Sequence, residues 1–215
     1  MATKKFETYV QQTIFAPLKS QYHIRMITLE AADFGVPQRR KRVFFIGFAD
    51  KEASDRFQVP KPTHALEPVT DGLAKTMGAR EALGLPDIGF DGLAPTIRSG
   101  WTGPRNTTSV VNSATSANVW AQLRIWPNGV AASRAAASAF VAKNGDFRLS
   151  IEDCMVLQGF PPDWPFERPV YKALGLIGNS VSPPMGYAVA RAVALALGKP
   201  KPTLVSRSAR RAPVS

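Results

Sequence analysis

Cysteine and histidine are scarce in this chain of 215 residues. Cys154 is the single cysteine, so an intramolecular disulfide and a zinc site built from several cysteines are both excluded. His23 and His64 lack a partner at metal-ligand spacing, and we interpret both as ordinary residues. The composition therefore excludes the disulfide-stabilised and cysteine-coordinated classes of protein and predicts no metal site.

Long hydrophobic runs are also missing. No stretch approaches the length that crosses a membrane, and Lys4 and Lys5 are not followed by the apolar segment of a signal peptide. A hydrophobic content of 45% is nevertheless sufficient for a packed core, while 18 prolines and 16 glycines indicate a loop-rich segment. We therefore expect a cytoplasmic protein without a membrane partner.

Acidic residues are absent from two regions. Residues 92–145 contain arginine and lysine but no aspartate or glutamate, and the same holds for the tail 199–215, which supplies +5 of the net charge of +11. The tail offers little to bury, so we expect it to be disordered. The region 92–145 lies inside the folded part and predicts a surface that faces a polyanion, nucleic acid first among them.

Four consecutive cations precede an apolar run in the stretch Asp33–Phe48, DFGVPQRRKRVFFIGF. The run Val43–Phe48 is short, β-branched and aromatic, which predicts a strand buried on both faces. Gly35 and Pro37 predict the turn that places the cations at the edge of that strand. The alternative is a solvated charge run that only keeps a hydrophobic strand soluble.

Residues 1–60 are predicted to form a helix followed by two strands. Apolar residues recur at helical spacing over residues 3–18, with a stop expected near Ala16 because Pro17 follows. The next segment alternates, with Tyr22, Ile24 and Met26 on one side, and is predicted to pair antiparallel with Val43–Phe48. Such a pair can close the edge of a mostly parallel sheet.

Residues 61–147 predict a small irregular domain of short strands and loops, rich in glycine, proline, serine and threonine. Ala94–Ile97 and Val119–Trp120 are predicted as brief strands, and Trp126–Gly129 as a turn. The alanine-rich segment Ser133–Lys143 is predicted as one helix.

Residues 148–198 predict two helices with clear ends. The first is capped by Ser150, buries Cys154 as a small core residue and stops at Gly159. The second has Ser182 as its N-cap, Pro183 at its first position and Gly198 beyond its end. The intervening Gly178–Ser180 turn either presents backbone N–H groups to a ligand or is a plain tight turn, and both interpretations stay open.

The order of these motifs resembles the C-terminal half of the DNA cytosine-5 methyltransferases. The resemblance spans residues 20 to 197 and rests on three segments in sequence, DFGVPQRRKRVFFIG, RLSIEDCMVLQGFPPDW and IGNSVSPPMGYAVARAV. It implies an α/β fold: the C-terminal part of a Rossmann-like methyltransferase domain that uses S-adenosylmethionine, plus a target recognition domain at residues 61–147. Residues 148–198 would form its framework helix and the return helix.

The resemblance also implies roles for individual residues. Arg42 resembles the arginine that holds the O2 edge of the flipped cytosine, Arg40 its companion near substrate and phosphate, and Gln38 the residue that buttresses the pocket. Asn179, Ser180 and Val181 match the motif on the cofactor side. Within the recognition domain, the candidate contacts to double-stranded DNA are Arg98, Arg105, Asn106 and Arg124.

Several family motifs are absent from the sequence. The Pro-Cys nucleophile, the Glu-Asn-Val motif and the glycine-rich cofactor motif do not occur, and Cys154 follows Asp153 instead of proline. Leu174 stands where the family often has tyrosine. We therefore expect a chain inactive alone: either a subunit that needs an N-terminal methyltransferase partner or a truncated gene product, the latter acting only as a weak DNA-binding module.

Overall fold

The computed structural model describes residues 4–67, 72–98, 108–139, 145–166 and 169–199. The helices in these ranges are α1 (Lys4–Val10), α2 (Ala16–Leu18), α3 (Lys51–Arg56), α4 (Ala79–Ala82), α5 (Ala114–Gln122), α6 (Arg134–Ser138), α7 (Ile151–Gln158), α8 (Val170–Asn179) and α9 (Pro183–Ala196). The strands are β1 (His23–Glu30), β2 (Lys41–Phe48), β3 (His64–Ala65), β4 (Ala74–Lys75), β5 (Ile125–Ala131) and β6 (Phe147–Ser150). The fold is thus mixed α/β.

The described strands form three two-stranded sheets, β1 with β2, β3 with β4, and β5 with β6. The β3–β4 and β5–β6 pairs are parallel, with Ile125 opposite Phe147 and Trp126 opposite Arg148 in the second. No helix within the described ranges is long and apolar enough to cross a membrane.

The chain divides into two compact units. The first draws its residues from Met1–Ile27, Phe44–Pro60 and Tyr187–Ser215, and the second from Thr28–Val43 and Lys61–Gly186. One limit between the two units lies after Pro60, and the assignment of residues 61–147 to a recognition domain stays a prediction. The predicted segment 148–198, in contrast, is divided after Gly186.

Aromatic rings organise the first unit. Phe15 and Phe45 meet edge to face with ring centroids 6.2 Å apart, and Phe48 and Phe57 lie at 5.6 Å. These contacts join the N-terminal helical segment to β2, and β2 to the residue that follows α3. The N-terminal helical segment continues through a π-helical turn, Gln11–Phe15, into α2 and ends at Leu18, two residues beyond the predicted stop near Ala16. Pro17 lies directly after the π-helical turn, where the hydrogen-bond ladder changes from i→i+5 back to i→i+4.

The prediction that Val43–Phe48 is buried on both faces is wrong. β2 pairs only with β1 among the described strands, Val43 is 41% exposed, and Phe44, Phe45 and Ile46 are half-buried. In β1 the buried side chains are Ile27 and Leu29, on the face opposite Met26. Two strands alone cannot cover both faces of their apolar side chains.

Three local predictions for residues 61–147 are also wrong. Val119 and Trp120 belong to α5, because Ser113 and Ser116 form a capping box that starts a helix and Trp120 is fully buried on it. The predicted turn at Trp126–Gly129 lies within β5, although the pairing with β6 shifts register between Trp126 and Ala131; here Pro127 O and Val130 N–H bond instead to Val110 and Thr108. Ala94 makes only an isolated bridge to Gln38, not a strand.

The predicted helix at Ser133–Lys143 forms in part. Ser133 caps α6, which ends at Ser138, and residues 140–144 lie outside the described ranges.

The helix ends in residues 148–198 follow the sequence closely. Ser150 and Asp153 form a capping box at the start of α7, and Gly159 ends it at φ +81°. α9 begins at Pro183 and is followed by Gly198 at φ +70°. The hydroxyl of Ser182 is buried without a hydrogen-bond partner among the described residues, so Ser182 precedes the helix but makes no capping bond. Gly178 and Asn179 are the last residues of α8 and do not form the predicted turn.

The core of the second unit is built around one aromatic side chain, Trp120, with aliphatic residues from α4, α7, α8 and β5. Cys154 lies within this core, fully buried, and burial raises the pKa of its thiol well above the ordinary value, helped by the neighbouring charge of Asp153. The interpretation of Cys154 as a core residue is confirmed. A thiol in this environment stays protonated and inert.

We predict that Ser150→Ala lowers the free energy of unfolding by about 1 to 2 kcal/mol. Ser150 is buried and exchanges hydrogen bonds with Asp153 in both directions, so its loss also leaves a buried carboxylate with fewer donors. Ser133→Ala removes a single cap bond at α6 and should cost about 0.5 kcal/mol. Urea unfolding of both variants measures the difference. Equal losses would contradict the role of the capping box.

Candidate functional site

Along the turn between β1 and β2, the residues from Gln38 to Lys41 are alternately buried and exposed. A short 3₁₀ helix, Ala31–Phe34, ends at Gly35, whose φ of +82° suits glycine. The chain then bends through Pro37, and Arg39 donates its N–H to Ala94 O at 2.9 Å. As a result Gln38 and Arg40 are completely buried, while Arg39 is exposed.

Gln38 uses both ends of its amide inside the protein. Its Nε2 donates to Leu157 O at 3.2 Å, and its Oε1 accepts from the backbone N of Ile97 at 3.3 Å and from Nη1 of Arg40 at 3.5 Å. The predicted role of Gln38 as a buttress stays a prediction, and the geometry is that of a side chain held on three sides.

Arg40 is the buried cation of the site. Its Nη1 donates to Ile97 O at 2.9 Å, and its Nη2 donates to Gly178 O and Ser180 O, both at 2.6 Å. Burial, with a smaller contribution from the nearby charge of Arg42, lowers the pKa of Arg40 to about 9. The partners of its guanidinium are carbonyl oxygens, so in this structure Arg40 faces protein and not the open surface where a phosphate could meet it.

The segment after α8 is held by the same set of contacts. Gln158 donates from Nε2 to the backbone O and to the Oγ of Ser180, each at 3.2 Å, and Ser180 Oγ donates to Ile177 O at 2.7 Å. The N–H of Ser180 bonds back to α8, so of the two interpretations left open this N–H does not fit the one that presents it to a ligand. Asn179 and Val181 are exposed beside it.

Arg42 lies in a cavity of about 810 Å³, which we call the cationic cavity. Its lining comprises the four cations Arg39, Lys41, Arg42 and Arg98, the acids Glu30 and Asp33, and Ala32, Pro62, His64, Ala65, Leu66, Leu73, Leu93 and Thr96. The guanidinium of Arg42 donates to Lys41 O at 2.8 Å.

The charges in this cavity influence one another. Burial lowers the pKa of Arg42, the charge of Arg98 lowers it further, and Glu30 acts in the opposite direction. Burial raises the pKa of Asp33, partly offset by Lys41. Crowded cations in a half-buried site carry an electrostatic cost that a bound anion would relieve.

The other predicted DNA contacts are distributed differently. Arg98 lines the cationic cavity with Arg42. Arg124 is not on that lining; its side chain is 58% exposed and pairs with the buried Asp146 at 2.8 Å. Arg105 and Asn106 lie outside the described residues.

Sequence reasoning missed Gln158, Thr96 and His64. Gln158 supports Ser180, Thr96 donates from Oγ1 to Arg39 O, and His64 packs against Gly35. Gln158 carried a usable signal, because a glutamine on the otherwise apolar face of a helix needs a buried polar partner. Thr96 and His64 had no such signal in the sequence.

Comparison with known proteins identifies the class. A mixed α/β chain with a buried Gln-Arg turn beside an arginine-lined cavity matches the family model of the C-5 cytosine-specific DNA methylases over residues 1–194. The chain therefore belongs to this family, and the match reaches back to residue 1, further than the sequence resemblance from residue 20.

Curated relatives are type II methyltransferases. M.NgoBI of Neisseria gonorrhoeae is 25% identical over 164 residues, covering 76% of this chain and 48% of the relative. M.HaeII of Haemophilus aegyptius is 26% identical, with 80% and 51% covered, and M.NgoMIV of N. gonorrhoeae is 29% identical, with 91% and 61% covered. The chain spans about half to three fifths of the length of these relatives.

We predict that Gly35→Ala destabilises the protein by about 1 to 2 kcal/mol, the cost of a side chain at positive φ plus a close contact. An added Cβ would lie 2.8 Å from Nε2 of His64. Gly84→Ala is the matched control, since Gly84 has φ +66° but nothing within 4 Å. Adding His64→Ala should remove the excess cost of Gly35→Ala over the control in urea unfolding. An unchanged excess would show that His64 is not its cause.

Proposed function

We propose that this chain supplies the DNA-recognising, pocket-completing part of a cytosine-5 methyltransferase. It recognises a specific duplex site and assists transfer of a methyl group from S-adenosylmethionine to C5 of cytosine, in partnership with an N-terminal half. The observation that carries the proposal is the Gln38–Arg40 network, which ties the turn beside the cationic cavity to the Gly178–Ser180 segment. Family membership supplies the class of reaction.

Arg42 is our candidate for the cytosine contact. It is half-buried at the wall of the cationic cavity, where a planar guanidinium can hold the O2 edge of an extruded base. A positive charge fixed at O2 also stabilises negative charge that gathers on the ring during attack at C6. Lysine at this position could not make the same planar contact.

The residues that start the reaction must come from a partner. C5 of cytosine becomes nucleophilic once a thiolate adds at C6 and an acid serves N3. The Pro-Cys and Glu-Asn-Val motifs that would supply these groups do not occur in this sequence, and Cys154 is buried with a raised pKa. This chain therefore contributes binding and charge stabilisation, not the nucleophile.

S-adenosylmethionine would meet only one wall of its site in this chain. Asn179 offers an exposed amide and Val181 an exposed apolar side chain, which suits a cofactor with polar and apolar parts. Ser180 is half-buried and bonded inward, so we assign it a supporting role. The cofactor supplies the methyl group, while these residues would bind and orient it.

The proposed partner is an N-terminal methyltransferase half. β2 carries three half-buried residues, Phe44 to Ile46, and β1 exposes Met26, so this strand pair leaves apolar surface uncovered. Since the curated relatives are considerably longer than this chain, the missing sheet of a Rossmann-like domain is the occupant that fits this face. We propose that β2 extends that sheet.

A second candidate is an inactive remnant that only binds DNA weakly. It is favoured by the absence of the nucleophile motif from the sequence. Both candidates keep the cationic cavity, so they are separated by testing whether an N-terminal half restores methyl transfer.

We predict that binding of duplex DNA is strongly salt-dependent. The acid-free region 92–145 and the cationic cavity should neutralise roughly 3 to 6 phosphates. The logarithm of the binding constant should then fall with the logarithm of the salt concentration, with a slope of about 0.9 per phosphate contact. Fluorescence anisotropy with a labelled duplex across a salt series measures the slope. A flat response would argue against DNA as the partner.

We predict that the isolated chain transfers no methyl group and that a purified N-terminal half carrying the Pro-Cys and Glu-Asn-Val motifs restores transfer. In the complex, Arg42→Ala should lower turnover by on the order of a hundredfold or more, the scale of losing one preorganised charge contact. Arg39→Ala is the control, because Arg39 is exposed on the same lining. It should cost far less.

Incorporation of tritiated methyl groups measures each variant beside the wild type. Equal losses at the two arginines would indicate a general basic patch. Methylation by the isolated chain would contradict the need for a partner, and no methylation with any matching half would favour the DNA-binding remnant.

A further inference from the structure

We propose that Arg40 is a positioning residue that couples the wall of the cationic cavity to the Gly178–Val181 segment, so that occupation of one changes the order of the other. The coupling itself rests on geometry. Only the identity of the ligands, duplex DNA at the cavity and S-adenosylmethionine at the segment, rests on the proposed function.

On the cavity side, Arg40 holds the peptide between two lining residues. Thr96 and Arg98 both line the cationic cavity, and Ile97 between them is completely buried. The carbonyl of Ile97 accepts from Arg40 Nη1 at 2.9 Å, and its N–H donates to Gln38 Oε1 at 3.3 Å. The position of Thr96 and Arg98 in the wall therefore depends on contacts made behind it.

On the other side, the same guanidinium holds the end of α8. Nη2 donates to Gly178 O and Ser180 O, the residues on either side of the exposed Asn179. Gln158 supports Ser180 as well but makes no hydrogen bond to Ile97 in the described structure. Arg40 therefore links the two segments directly, whereas Gln158 serves only one of them.

The chemistry of arginine explains why the two ends should respond together. A guanidinium is planar and rigid, so carbonyls bound at Nη1 and Nη2 keep a fixed separation. The charge of Arg40 is buried and solvated by those carbonyls, and loss of one leaves the cation less compensated. A lysine has one ammonium on a flexible stem and could not hold both ends in this geometry.

Amide hydrogen exchange by NMR on the full chain tests the coupling. Arg40→Lys should accelerate exchange of both the Ile97 N–H and the Ser180 N–H by about tenfold, the scale of one lost charged hydrogen bond. Gln158→Leu should accelerate only Ser180. The Phe147 N–H, bonded to Arg124 O at 3.0 Å on β6, is the internal control and should not change in either variant.

Should Arg40→Lys fail to fold, Gln38→Met decides the question. Gln38 bonds to Ile97 and Arg40, and also to Leu157 O beside Gln158, which itself bonds to Ser180. Gln38→Met is therefore measured against the Gln158→Leu background, where a further effect at the Ser180 N–H passes through Arg40 and not through Gln158. Acceleration at Ser180 supports the coupling. An unchanged Ser180 N–H in Gln38→Met, or equal effects of Gln158→Leu at both amides, would overturn it.

Hydrogen exchange in the presence of duplex DNA tests the coupling separately from the proposed function. Saturating duplex DNA should slow exchange of the Ser180 N–H in the wild type, and this protection should disappear in Arg40→Lys although DNA still binds. DNA binding without any change at Ser180 would overturn the coupling. Failure of DNA to bind would count against the proposed function alone, because the variants without DNA still test the coupling.

Discussion

The buried cation Arg40 fixes the backbone beside the cationic cavity and at the end of α8. The guanidinium of Arg40 is completely buried and is solvated by the carbonyls of Ile97, Gly178 and Ser180. Nε of Arg40 is buried without a hydrogen-bond partner among the described residues, so the compensation of the buried charge rests on the bonds of Nη1 and Nη2, and these backbone segments must keep their positions around it. The path of the chain beside the cationic cavity and the end of α8 both depend on this requirement.

Side chains along the turn are alternately buried and exposed, and this determines which arginines can contact a ligand. Gln38 and Arg40 are buried and make internal contacts, whereas Arg39, Lys41 and Arg42 remain on the cavity lining. Four cations against two acids give this cavity an excess of positive charge, and burial lowers the pKa of Arg42. A polyanion is therefore the ligand that best suits the lining, in agreement with membership of a DNA methylase family.

The first unit explains why a partner is part of the proposal. The part of β2 in this unit, Phe44–Phe48, is apolar in sequence, yet Phe44–Ile46 are only half-buried, and β1 is the one strand paired with β2 among the described residues. The apolar sequence of β2 is typical of a central strand, and its observed exposure is consistent with that pattern if a further sheet packs against β2.

The sequence by itself determined the family motifs and the local features: the N-cap at Ser150, the ends at Gly159 and Gly198, and a helix that starts after Ser133. These depend on interactions within a few residues, which a sequence displays directly. Only the tertiary structure decided that Trp126–Gly129 is a strand, that β2 is half-exposed and that Arg40 is buried while Arg42 lines the cavity. The physical reason is distance along the chain, because the carbonyls that hold Arg40 lie 57, 138 and 140 positions away.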